Sequence, residues 1–180
     1  MRRIAIAAAA AAFIGGPVAA QVSGTMTLMA YSGIFQENYT AVVVEPFRAR
    51  NPGLAVTYFA PGTSAQMLGI LRSQRTAPQA DVVIMDITTA AIACAEGLVE
   101  KITPAEVPAI NDVVPLGRQA GGECGPAVTF DHFVIVYDAT KVSPPPTSLK
   151  VLWDEKLRGR LSISAPPNIQ GLVLTAIVER

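Results

Sequence analysis

The sequence has few of the residues that carry chemistry: one histidine, two cysteines and one tryptophan in 180 residues, with aromatic residues at 6%. Two cysteines separated by 29 residues and a lone His132 make no metal-ligand cluster, so no metal is expected. Charge of one sign is also missing. Fourteen basic and 14 acidic residues cancel, and no basic patch or stripe marks a nucleic-acid partner. Catalytic signatures are scarce as well. The chain has no G-x-S-x-G elbow, no G-x-x-x-x-G-K-[ST] phosphate loop, no G-x-G-x-x-G and no H-E-x-x-H. No cofactor is expected and no catalytic residue stands out. What the chain does have is a 51% apolar share with unblocked charges, enough for a folded core and too much for disorder.

The first 20 residues stand apart, nine of them alanine. Arg2 and Arg3 form a positive end, Ile4 to Ile14 an uncharged run, and Gly15-Gly16-Pro17 a break before the small residues Val18-Ala19-Ala20. This three-part layout predicts a secretory signal cleaved after Ala20, hence a periplasmic or secreted protein. A membrane anchor would need about 20 apolar residues, and Pro17 comes too soon. Without Arg2 and Arg3 the balance is 12 basic to 14 acidic, a net of −2. In an oxidising compartment Cys94 and Cys124 invite a disulfide. Two buried thiols that never meet are the alternative, and spacing does not choose between them.

From residue 25 onward the patterns alternate. Strand composition at Thr25–Tyr31 is followed by helical spacing from Phe35 to Arg50. There Pro46 predicts a kink about one turn earlier, or two abutting helices. Ala55–Phe59 reads as a second strand. Thr63 and Gln66 have capping-box spacing before a helix with Met67, Leu68 and Leu71 on one face. Val82–Met85 reads as a strand buried on both faces, as in a parallel sheet. Thr88 or Thr89 would cap the next helix, which Gly97 stops with Leu98 packing back. Thr103-Pro104-Ala105-Glu106 predicts another helix start, and Ala127–Tyr137 a long β segment interrupted by Asp131 and His132. Beyond a stiff Pro144–Pro146 spacer come a short helix near Ser148–Trp153, a strand at Leu161–Ser164 and a helix opened by Asn168 and Gly171. Trp153 is expected to anchor a core. The order is that of an open α/β domain, residues 21–137, followed by the incomplete start of a second, residues 138–180. The chain is therefore expected to be the amino-terminal part of a longer protein.

In an open parallel sheet ligands bind beyond the carboxyl ends of the strands. Three loops of similar character fall there: Ser32-Gly33, Gly62-Thr63-Ser64 and Asp86-Ile87-Thr88. Each leads into a helix start, where free N–H groups face outward. They read equally as ordinary caps. Asp131 and His132 read either as ligand contacts or as a hairpin bend. Asp86 and Asp131 would neutralise a cationic ligand or merely end strands. A secreted hydrolase-like enzyme using Ser64, or Asp131 with His132, is the rival reading.

Several stretches resemble the extracellular solute-binding proteins of bacterial ABC importers, in the group that includes polyamine and ferric-iron binders. They are Leu28–Gly33, Val44-Glu45-Pro46-Phe47 with Asn51-Pro52-Gly53, Ala80–Asp86, Glu96–Val99 and Ile135–Asp138. Pro146-Thr147-Ser148 with Leu152-Trp153-Asp154 and Arg158–Leu161 carries the most specific likeness. The resemblance implies a periplasmic-binding-protein type II-like α/β fold. Its two lobes would close on a small-molecule solute (a polyamine, another small organic ion or an iron complex) and deliver it to an ABC permease in the inner membrane. It implies that Ser32, Thr63, Ser64 and Asp86 or Thr88 face the cleft from lobe one, and Asn168 from lobe two. Polyamine binders line the cleft with aromatic residues and several carboxylates, whereas here Tyr31 and few acids stand near the loops, so the ligand stays open.

Overall fold

A computed structural model describes residues 22–178; the segment read as a signal, and its cut after Ala20, lie outside the described residues. Three parallel strands form one sheet in the order β2-β1-β3: β1 Gly24–Met29, β2 Leu54–Phe59 and β3 Val82–Val83. Gly24 faces Leu54 and Met29 faces Phe59, while Leu28 and Met29 face Val82 and Val83. Around the sheet lie α1 Ile34–Tyr39, α2 Glu45–Arg50, α3 Ser64–Ser73 and α4 Ile87–Ala95. The architecture is mixed α/β.

The alternation of side chains along β1 decides which helices cover which face. Met29 points to a core with Met67, Leu68 and Leu71 of α3 and Ala93 of α4. Leu28 and Ala30 point the other way, to Val44 and Val56, with Phe35, Tyr39 and Phe47 packed around them. Thus β1, not β3, is the strand buried on both faces. The apolar run at Val82–Met85 pairs only over its first two residues and lies at the sheet edge, with Val82 44% exposed. The Asp81 carboxylate accepts the Thr27 N–H at 2.7 Å, standing in for a ladder carbonyl where β3 begins.

Pro46 shapes the first helix as its chemistry requires. Proline has no N–H to donate and its ring crowds the carbonyl four residues back. The backbone answers with a π-helical turn at Thr40–Val44, in which the Glu45 N–H reaches Thr40 O. One extra residue in the turn lets the helix continue into α2.

The end of α4 is a Schellman stop: Leu98 N–H donates to Ala93 O and Gly97 N–H to Cys94 O, with Gly97 at φ 63°. Its start differs from expectation. Asp86 is the N-cap residue, and Thr88 and Thr89 lie within the first turn. A disulfide joins Cys94 of α4 to Cys124, at the end of a short 3-10 turn that follows α5, Pro115–Gly121.

Beyond this point several expectations fail. Thr103 and Glu106 make their reciprocal capping bonds, yet only a turn and a 3-10 helix at Pro108–Asp112 follow. Pro108 has no N–H to carry an α-helix on from that turn. Residues 127–137 form no strand, because no neighbouring strand supplies a ladder there, and Val134 and Val136 are exposed. Leu161–Ser164 is likewise irregular, and Trp153 is 58% exposed instead of anchoring a core. Ser148 caps a 3-10 helix at Leu149–Trp153, and Asn168 caps α6, Ile169–Val178, through the Gln170 N–H at 3.0 Å. Among the described residues no helix is long and apolar enough to cross a membrane.

Candidate functional site

At the carboxyl edge of the sheet the loops after β1, β2 and β3 meet through side chains. Tyr31, two residues past β1, donates its phenolic proton to Asp86 Oδ1 at 2.8 Å. Its oxygen lies 2.5 Å from Ser64 Oγ, and Ser64 Oγ accepts the Asp86 backbone N–H at 2.8 Å. The proton count fixes the direction. A phenol has one proton, already given to the carboxylate, so Ser64 must donate to Tyr31. The result is a closed ring, Ser64 to Tyr31 to Asp86 side chain and Asp86 backbone to Ser64, in which each bond polarises the next. Tyr58 adds a bond from its hydroxyl to Tyr31 O at 2.8 Å, holding the chain as it leaves β1.

Burial raises the pKa of the Tyr31 phenol above its ordinary value; the Ser64 bond works against this, and the Asp86 carboxylate reinforces it. Tyr31 therefore stays a neutral donor over the physiological range. Its ring also meets Phe35 edge-on at 5.4 Å, and Phe35 stacks on Tyr39 at 5.3 Å, so an aromatic row flanks the site.

The residues singled out from sequence divide into three groups. Ser64 is only 3% exposed, and its described bonds go to Tyr31 and Asp86; it ties loops together and presents no free hydroxyl. Ser32, Gly33 and Thr88 lie exposed around the ring, and Thr63 and Asp86 are half-buried. Gly33 has φ 68°, a conformation that favours glycine, and lets the chain turn from Tyr31 into α1. Thr63 Oγ1 accepts the Gln66 N–H at 3.2 Å, while Gln66 reaches Gly62 N–H at 2.9 Å, one residue short of a full capping box. Asp131, His132 and Asn168 form the third group. Asp131 and His132 are exposed on the irregular 127–137 stretch, and no described hydrogen bond joins any of the three to the ring.

Tyr31 is the residue that sequence reasoning undervalued. Its signal was position: a polar-tipped aromatic closing a strand just before Ser32-Gly33 has its ring in the core and its hydroxyl at the edge. No group of three or more potential metal ligands is found among the described residues. No protein-family model matches the chain, and no curated protein matches it at a significant level.

Proposed function

We propose that the protein captures a small polar or charged solute at the carboxyl edge of its parallel sheet, without making or breaking bonds in it. In this reading residues 21–137 are the first lobe, with its crossover, of a two-lobed periplasmic binding protein that delivers to an ABC-type permease, and residues 138–180 begin the second. The observation that carries it is the Tyr31–Ser64–Asp86 ring, which draws three separate loops to one rim. A rim fixed in advance lowers the ordering cost of binding. It leaves Ser32, Gly33, Thr63 and Thr88 as hydrogen-bonding contacts, with Asp86 as a carboxylate among them. The hydrolytic reading draws no support from Ser64, whose proton is committed to Tyr31 and whose described partners do not include His132.

One lobe supplies only part of a solute's contacts, so residues 21–180 should bind weakly, at about millimolar dissociation constants, equivalent to roughly −4 kcal/mol. Thermal denaturation with a panel of polyamines, small organic anions and ferric complexes tests this, with the solute recovered and checked by NMR. A modest rise in melting temperature with one solute, returned unchanged, is expected. Nanomolar binding by residues 21–180, or conversion of the solute, contradicts the reading.

A further inference from the structure

Residues between Lys141 and Arg160 line an open hollow that shares no residue with the sheet edge. Its walls come from a sequence of short capped turns. Ser148 caps one 3-10 helix and Asp154 caps the next, Glu155–Leu157, and both residues line the hollow. Pro144–Pro146 add a stiff stretch to the lining. The hollow measures about 500 Å³, within the range of small-molecule sites. Val142, Val151 and Leu157 line it, along with Lys141, Lys156 and Arg160.

The charge is lopsided for a protein whose formal total is zero. Three cations face one lining carboxylate, and Asp154 already accepts the Lys156 N–H. Lys141 pairs with Asp138 at 2.9 Å, but neither Lys156 nor Arg160 has an ion-pair partner among the described residues. Ser148 Oγ accepts the Lys150 N–H and keeps its own proton to donate, and Thr147 adds a second hydroxyl. A guanidinium and an ammonium without ion-pair partners among the described residues and two hydroxyl residues line one space, against the single carboxylate of Asp154.

We propose that this hollow is a binding site for a phosphate-type oxyanion, with Arg160 as the bidentate contact and Lys156 as the balancing charge. Arginine's planar fork matches two oxygens of such a group, a geometry lysine cannot copy. The apolar floor of Val142, Val151 and Leu157 accommodates the organic part of a phosphate ester. This site is independent of the solute-capture reading.

The test is calorimetric titration of the whole chain with inorganic phosphate and with phenyl phosphate, against chloride at matched ionic strength. Saturable binding to one site is expected, weakened about tenfold by Arg160→Gln and also by Arg160→Lys. Lys156→Gln should weaken it less. Tighter binding of phenyl phosphate identifies an organic ester as the ligand class; equal binding identifies the free anion. Heats that do not saturate, that appear equally with chloride, or that ignore the Arg160 and Lys156 substitutions overturn the proposal. Both side chains are exposed, so their loss should leave the fold intact, which circular dichroism will verify.

Discussion

Tyr31, Ser64 and Asp86 share protons around a ring, so removing one member leaves two others unpaired. Tyr31→Phe strips the donor from Asp86 and the acceptor from Ser64, and should destabilise by about 1–3 kcal/mol. Ser64→Ala orphans the Asp86 N–H at a site where water has little access, at a similar cost. Denaturant unfolding of both single variants and the double variant should show non-additive losses, as expected within one network. The raised pKa of Tyr31 has a second consequence. Below about pH 10 the phenol is protonated in both folded and unfolded chains, and its contribution is fully present. As pH rises past that point the unfolded chain loses the proton first, so stability falls toward the higher folded value. Tyr31→Phe should therefore flatten part of the alkaline decline in unfolding midpoint measured from about pH 9 to 12. Ser64 was visible in the sequence as a loop residue at a helix start and Asp86 as a strand-end carboxylate, but the proton-sharing that unites them was not, because it depends on three segments distant in the chain.

Elements defined by a few neighbouring residues were the most legible. The Thr63 cap and the Gly97 stop each depend on a window of about one helical turn, and both formed where their residue types required. Thr63→Ala should cost α3 about 1 kcal/mol. Gly97→Ala meets no neighbouring atom, so its cost of about 1–2 kcal/mol comes from forcing alanine into a left-handed conformation. Thermal unfolding followed by far-ultraviolet circular dichroism measures both. The π turn before Pro46 was legible as an irregularity one turn upstream, since the missing N–H and crowded carbonyl are local facts. Strands were less so. Val82–Met85 and Ala127–Tyr137 both have β composition, yet a strand exists only where a partner supplies the ladder. The first pairs over two residues and the second over none.

At the scale of the whole molecule, the sheet with its two helical layers holds most of the buried side chains, and the Cys94–Cys124 bond fastens the 3-10 turn after α5 onto it. In the chain-entropy account a loop of this length contributes roughly 3–4 kcal/mol, so reduction should lower the melting temperature and loosen residues 99–126 first. The central claim is that three loops act as one solute-holding rim. Hydrogen exchange with and without a stabilising solute at near-saturating concentration addresses it most directly. The account predicts that amides at 31–33, 62–64 and 86–88 slow together, with the effect lost in Tyr31→Phe. Slowing confined to other segments, or at one of the three loops alone, would contradict it.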